Sequence, residues 1–299
     1  MTRPAGLPFA AAVVCLATVT AVAVVASPNV VASVAVAVFA GPHNWLEFRY
    51  AVRRMPARAG KLRRFVAVSA VGVVSLTILF AALPLASDAR VAYAVWGTAV
   101  IGWAAYLVRM RANTPPRFDG GLVVPIACLV CAVVWAWPEV FGLALLFAHP
   151  LLALVLLDRE LTRSHRHWRP AFRVAVACVP ALAVGVGLAA DGFYDSSVRF
   201  SRPVFAAHTF LEVVHYSVWV VLMPSVALGK SPWRTADIPL ARRGHVCRHI
   251  VVVALLVGAS AVVALWVAFA IEPSATLSVY FTVAMAHVLA EIPLLLRML

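Results

Sequence analysis

Long apolar stretches, separated by short polar or proline-containing breaks, are the feature that most constrains the fold of this chain. Ten can be distinguished, each long enough to cross a hydrocarbon core ~30 Å thick with ~20 residues. Placed to within about 3 residues, they cover 8–27, 29–50, 65–86, 89–109, 121–137, 138–157, 171–190, 203–228, 249–271 and 274–296. The pattern predicts an all-α polytopic membrane bundle of about ten transmembrane helices, with residues 1–299 forming a single integral membrane domain.

The composition excludes a soluble protein. Hydrophobic residues make up 64% of the 299 residues, charged residues make up 12%, and the mean hydropathy is +0.95. Soluble domains contain roughly 45–50% and 25%, and a soluble fold of this size still exposes roughly a quarter of its unfolded surface. We therefore expect a multi-pass protein of the cell inner membrane or plasma membrane.

The basic residues define the expected orientation. Of the 25 Lys and Arg residues, 22 fall in alternate gaps between the stretches, and only Arg90, Arg199 and Arg202 fall in the others. Because cytoplasmic loops attract Lys and Arg, this bias places both termini in the cytoplasm. The net charge of +13 is then explained by topology and by anionic lipids at the cytoplasmic face, without a nucleic-acid partner. The first stretch also fits a cleaved signal peptide, an alternative that the pattern leaves open.

Histidines inside the predicted spans are the candidate functional residues, because polar groups at membrane depth are costly and tend to be functional. Four helices predicted to run inward each carry one at a similar depth. At 1.5 Å per residue, these imidazoles lie ~16–21 Å below the outer ends of their helices. They are His43, His149, His215 and His287, and His208 lies nearer the outer end of its helix, at ~8 Å.

Carboxylates recur at a fixed distance from these histidines. Glu47, Glu212 and Glu291 each follow a histidine by four residues, so each pair shares a helical face. Glu212 also precedes His215 in the Glu-x-x-His spacing that di-iron bundles use. This pattern predicts a metal site with His43, His149, His208, His215 and His287 as candidate ligands.

Imidazole and carboxylate ligands suit iron, zinc or manganese. Four histidines favour a mononuclear iron with open positions for dioxygen as co-substrate, and glutamates that orient the imidazoles. A di-iron centre, in which Glu212 is itself a ligand, and haem held by two histidines are alternatives. Asn44 and Tyr216 are candidates for orienting bound oxygen. Helix-packing hydrogen bonds or a proton pathway would also explain buried histidines.

Two further histidine pairs lie in predicted cytoplasmic loops, at His165 and His167 and at His245 and His249. The second pair has the His-x-x-x-His spacing of membrane desaturases. His245 and His249 could therefore be ligands, but they lie among Arg242, Arg243 and Arg248, so contact with lipid headgroups is the favoured interpretation.

Two resemblances follow from these residues. The ten-span pattern with His43, His149, His215 and His287 resembles the bacterial membrane β-carotene dioxygenase family, whose members cleave a polyene with a histidine-held iron. The segment Gly41-Pro-His-Asn-Trp-Leu-Glu-Phe-Arg-Tyr50 is similar to a stretch in a bacterial polytopic membrane family, some of whose members accompany enediyne biosynthesis clusters.

The resemblances share a substrate type, a conjugated lipophilic polyene. They imply a membrane non-haem iron oxidase or oxygenase of the desaturation or cleavage type, with a substrate that enters from the bilayer. An ion- or proton-coupled transporter and a haem-binding electron-transfer or assembly protein are the alternatives. A transporter is less favoured because the chain has no internal repeat.

Overall fold

The structure is a computed structural model that describes residues 6–54, 60–112, 121–190, 202–228 and 235–298. Helices account for nearly all of these residues. They are α1 (Gly6–Ala26), α2 (Pro28–Ala35), α3 (Gly41–Arg54), α4 (Arg63–Ala82), α5 (Ala89–Ala112), α6 (Val123–Ala136), α7 (Pro138–Ser164), α8 (Arg169–Ala189), α9 (Arg202–Ser217), α10 (His245–Ile271) and α11 (Pro273–Met298). In a bilayer only a helix or a closed barrel satisfies its own backbone hydrogen bonds, so apolar stretches of this length fold as helices.

Within the described residues, eight helices are long and apolar enough to cross a membrane, which makes the chain a multi-pass membrane protein. Two of the ten predicted spans are not among these eight. Residues 28–54 form α2, a π-helical turn over Val36–Ala40 and then α3. The other, α6, has only 14 residues, which is about 21 Å of helix.

Prolines start several helices where the sequence predicted a boundary. Pro28, Pro138 and Pro273 are the first residues of α2, α7 and α11. Proline suits this position because its ring fixes a helical φ and its missing N–H has no partner there anyway. The predicted break at residues 113–116 lies outside the described residues, as do Arg199 and residues 1–5.

The chain divides into two compact units. The first unit comprises Met1–Tyr50, Leu146–Thr235 and Leu255–Val263. In it α1 packs along α8, and α8 packs along α9. Gly187 permits the second contact, because a Cβ there would lie 3.1 Å from the carbonyl oxygen of Pro203. The α9 helix and its continuation form the most buried of the eight candidate spans.

The second unit comprises Ala51–Leu145, Ala236–Ala254 and Ala264–Leu299. Its core is formed by α4, α5 and α11, with Leu76, Trp96, Val100 and Leu289 buried together. The indole of Trp96 donates to the carbonyl of Leu76 at 3.0 Å. At Gly72 a Cβ would overlap the indole of Trp103, so α4 and α5 approach closely only because this residue has no side chain.

Candidate metal centre

The site begins where the π-helical turn Val36–Ala40 passes into α3. π-helical turns inside α-helices are rare and occur frequently at functional sites. His43 lies in the first turn of α3 and is 3% exposed. Its Nδ1 lies 3.1 Å from the carbonyl oxygen of Phe39. A ring nitrogen that donates to a carbonyl fixes the tautomer, so the lone pair of His43 is placed on Nε2, the arrangement found in metal-ligating histidines.

Two more histidines meet His43 within the first unit. The His215 ring, on α9 and 1% exposed, lies 5.3 Å from the His43 ring and 4.4 Å from the ring of His149 on α7. We call His43, His149 and His215 the imidazole cluster. Its members come from three separate helices, so the convergence is a tertiary feature and does not follow from local sequence.

Two histidines of the cluster, His149 and His215, fit a metal ion. At metal–nitrogen bond lengths of about 2.0–2.1 Å, two ligating nitrogens lie no more than ~4.2 Å apart. A ring nitrogen of His149 and one of His215 lie within 4.8 Å of each other. Small rotamer changes would therefore bring this pair to bonding distance. Imidazole nitrogens suit iron, zinc, copper and nickel.

A phenol and a carboxylate adjoin the cluster. The Tyr216 ring, 2% exposed, lies 4.3 Å from the His43 ring. Its hydroxyl donates to Oε1 of Glu212 at 2.6 Å. The other oxygen of Glu212 lies 3.8 Å from Nδ1 of His208, whose ring contacts Phe147 at 6.0 Å. Glu212 is thus held by Tyr216 and His208. The assignment of His208 as a ligand stays a prediction.

Two other predicted residues flank His43 on α3. The side-chain amide of Asn44 donates to the carbonyl of Ala40 at 2.8 Å, and its buried Oδ1 has no hydrogen-bond partner among the described residues. This oxygen is therefore available as an acceptor. Glu47 lies one turn further along and is only 4% exposed.

His287 and Glu291 lie in the second unit, on α11. They are one turn apart, and a ring nitrogen of His287 lies within 4.8 Å of a carboxylate oxygen of Glu291, which is fully buried. The predicted i,i+4 pairing of this histidine with its glutamate is therefore present. The assignment of His287 as a fourth ligand stays a prediction.

The histidines of the predicted loops are placed differently. The His165 ring stacks on Trp168, with centroids 4.1 Å apart, and His167 is exposed. His245 and His249 form an exposed pair in the first turns of α10, 4.2 Å apart. Contact of His245 and His249 with lipid headgroups stays a prediction.

Two polar groups of the first unit were not predicted from the sequence. Tyr50 donates to Oε1 of Glu160 at 2.7 Å, across 110 residues of sequence and with both side chains about 1% exposed. No sequence spacing signals this contact. Asp158 accepts two hydrogen bonds from Arg169 and two from Arg173, at 2.7–3.0 Å. The charges at the end of one predicted span and the start of the next were the available signal for this second group.

Comparison with known proteins adds no family: no protein-family model, curated protein or solved structure matches the chain.

Proposed function

We propose that the chain is an iron-dependent oxidoreductase of the cell inner membrane or plasma membrane, which oxidises a lipophilic conjugated polyene with dioxygen. The observation that carries the proposal is the convergence of three imidazoles from α3, α7 and α9 in the interior of the first unit. The polyene substrate, and a place in enediyne or other natural-product biosynthesis, are supported only by the sequence resemblances.

A structural role accounts for the cluster less well. A buried histidine that serves only in helix packing needs one hydrogen-bond partner, and the Phe39 carbonyl already provides one for His43. Packing gives no reason for three imidazoles to gather at one point, since apolar side chains of similar volume would fill the space without the cost of burying polar atoms. Ionisable groups at this depth mark functional sites by default.

His43, His149 and His215 would hold the metal, which when bound would supply the activation of dioxygen. Tyr216 packs its ring on His43 and is fixed in turn by Glu212, so Tyr216 and Glu212 together orient His43.

Asn44 offers an acceptor oxygen next to His43. Glu47 would act on the imidazoles without binding the metal, as would Glu291 if His287 is a ligand. The apolar helices around these residues exclude water from the reaction.

Two reaction types remain within the proposal and differ in their electron balance. Cleavage of a carbon–carbon double bond places one atom of dioxygen on each new carbonyl and needs no other reductant. Desaturation removes two hydrogen atoms, so complete reduction of dioxygen to water requires two further electrons and two protons from a separate donor. Product analysis with ¹⁸O₂ distinguishes the two, because only cleavage transfers both labelled atoms to the organic products.

The deciding experiment is metal analysis and an optical spectrum of the purified protein. Iron in stoichiometric amount without a Soret band supports the proposal, and addition of a carotenoid under air then tests substrate oxidation. A Soret band would replace the proposal with a haem protein. A protein that binds no transition metal would end it and leave transport as the better function.

A further inference from the structure

A second buried aromatic group lies in the first unit, formed by Tyr50, Trp219 and Glu160. The Tyr50 hydroxyl donates to Glu160 at 2.7 Å. The rings of Tyr50 and Trp219 lie 5.4 Å apart at 62°, an edge-to-face contact. Trp219 is fully buried, and the other two side chains are about 1% exposed. The phenol is therefore in contact with an indole on one side and with a carboxylate on the other.

This group shares its supporting elements with the imidazole cluster. Trp219 follows His215 by four residues on the continuation of α9, a π-helical turn over Val218–Leu222. Tyr50 follows His43 by seven residues on α3. At 1.5 Å per residue these separations correspond to ~6 Å and ~10.5 Å along the helix axes. The indole therefore lies about one turn beyond the cluster.

Packing explains the phenol but does not explain the indole. A buried tyrosine hydroxyl needs a partner, and Glu160 provides it. The buried indole N–H of Trp219, in contrast, has no acceptor in the part of the chain that the structure describes. Leaving such a donor unsatisfied destabilises the folded state, and phenylalanine would occupy the position without that cost. Apart from its N–H, the indole of tryptophan differs from the phenyl ring of phenylalanine in being readily oxidised by one electron.

We propose that Tyr50 is a redox-active tyrosine. When no substrate is present, it donates an electron through Trp219 to the metal bound by the imidazole cluster. The inference rests on the proposed function, since it needs a redox-active metal in the cluster. With hydrogen peroxide as oxidant, two electrons reduce the peroxide to two water molecules. With ferrous iron bound, one of these electrons would come from the metal, which would end as ferric iron, and the other would come from Tyr50.

The proton balance follows from the hydrogen bond. The phenol loses its proton to Oε1 of Glu160 as it loses the electron, so a neutral phenoxyl radical and a protonated carboxyl replace the phenol and the carboxylate. Two further protons from solution complete the two water molecules. Arg163, which donates to the same carboxylate oxygen at 2.9 Å, keeps Glu160 in place. The oxidising equivalent thereby moves away from the metal ligands to the Tyr50 ring, about two helical turns away.

Tyr216 is the competing candidate, because its hydroxyl also donates to a glutamate. Its ring, however, lies against His43, so a radical there would remain inside the site. The test must therefore separate the two phenols, and variants at each position do so.

The experiment uses full-length protein loaded with ferrous iron in detergent, mixed with hydrogen peroxide, frozen and examined by electron paramagnetic resonance. We expect a tyrosyl signal in the wild type that narrows with ring-deuterated tyrosine. Tyr50→Phe should abolish it, and Trp219→Phe should slow its appearance. Tyr106→Phe is the matched control, since the Tyr106 hydroxyl accepts from Arg64 at 2.8 Å and has a cation as neighbour instead of a base; its signal should equal the wild type.

A signal that persists in Tyr50→Phe, or that disappears in Tyr216→Phe alone, overturns the proposal. Glu160→Gln provides a second variant if Tyr50→Phe does not fold. It keeps an acceptor for the phenol but removes the base, so the radical yield should fall, and an unchanged yield counts against Tyr50. Bound iron without any radical refutes this inference alone. Absence of bound iron refutes both this inference and the proposed function.

Discussion

Replacing His215 by leucine separates the metal-binding role of the imidazole cluster from any role in folding. His215 is 1% exposed and lies between His43 and His149. Leucine is of similar size and brings no polar atom, so the metal-free protein should fold at least as well as the wild type. Metal binding should weaken strongly. Structural zinc sites with four ligands bind with about 10–16 kcal/mol, or roughly 3–4 kcal/mol per ligand, so losing one ligand corresponds to about 10²–10³-fold in affinity.

Thermal unfolding in detergent, with and without ferrous iron under nitrogen, measures this difference. At a free metal concentration 100 times the wild-type Kd, binding adds about 2.7 kcal/mol to stability, whereas an affinity about 100-fold weaker leaves only ~0.4 kcal/mol. At roughly 2–4 °C per kcal/mol, the metal-dependent shift in Tm should fall from about 5–11 °C to about 1 °C.

The matched control is Thr209→Val on the same helix. Thr209 is as buried as His215, and its hydroxyl has no hydrogen-bond partner among the described residues. This variant should keep the full metal-dependent shift. The reasoning is refuted if His215→Leu also keeps the full shift, or if Thr209→Val loses it.

Three further predictions concern other parts of the chain. Glu212→Gln keeps an acceptor for Tyr216 but removes the charge, and should weaken iron binding by about 10–100-fold in chelator competition; a loss as large as that of His215→Leu would make Glu212 a ligand and favour a di-iron centre. Gly72→Ala forces a Cβ into the indole of Trp103 and should lower the unfolding free energy by about 1–3 kcal/mol. The control is Gly102→Ala, where a Cβ meets nothing within 4 Å, and this variant should be neutral or stabilising. Equal effects of the two substitutions would contradict the packing of α4 on α5. Reporter fusions at both termini should give cytoplasmic signals, as the ten-span topology requires, and a periplasmic C-terminus would show that residues 28–54 or α6 do not cross the membrane.

Most helix boundaries could be predicted from the sequence, because hydrophobic length and proline position are local properties. The predicted stretch 89–109 corresponds to Ala89–Ala112, and 171–190 to Arg169–Ala189. The end of α7 differs from the predicted end at residue 157. The helix continues seven residues past 157 to Ser164, through a charged turn in which Asp158 holds Arg169 and Arg173. Hydropathy alone ends a span where charge begins, although the helix itself does not end there.

Two properties of the candidate site could be predicted from the sequence. They are the depth of each histidine along its helix and the helical face that it shares with a glutamate. Equal depth along their helices predicted that His43, His149, His215 and His287 lie close together, and the rings of the first three adjoin in the first unit. The partner of Glu212 was not predictable in the same way. The sequence linked this glutamate to both His208 and His215. The structure places His208 Nδ1 3.8 Å from one carboxylate oxygen and hydrogen-bonds the other oxygen to Tyr216, since side-chain rotamers decide among neighbours on one face. The contact of Tyr50 with Glu160 depends on how α3 and α7 pack, so no periodic pattern in the sequence indicates it.

The two π-helical turns beside the cluster have a consequence for how this chain can change. Val36–Ala40 precedes His43, and Val218–Leu222 follows Tyr216. Each such turn accommodates an extra residue relative to an α-helix, so the segments before and after it follow registers about 100° apart. Deleting one residue within Val36–Ala40 would convert this turn to α-helical geometry and rotate the residues beyond it by about 100° around the helix axis. The surface before the turn would stay where it is, while the histidine beyond it would swing away from its partners. A one-residue deletion in this turn should therefore be more damaging than many substitutions, and a one-residue insertion is the simplest route by which an ordinary membrane helix could first have turned a histidine inward.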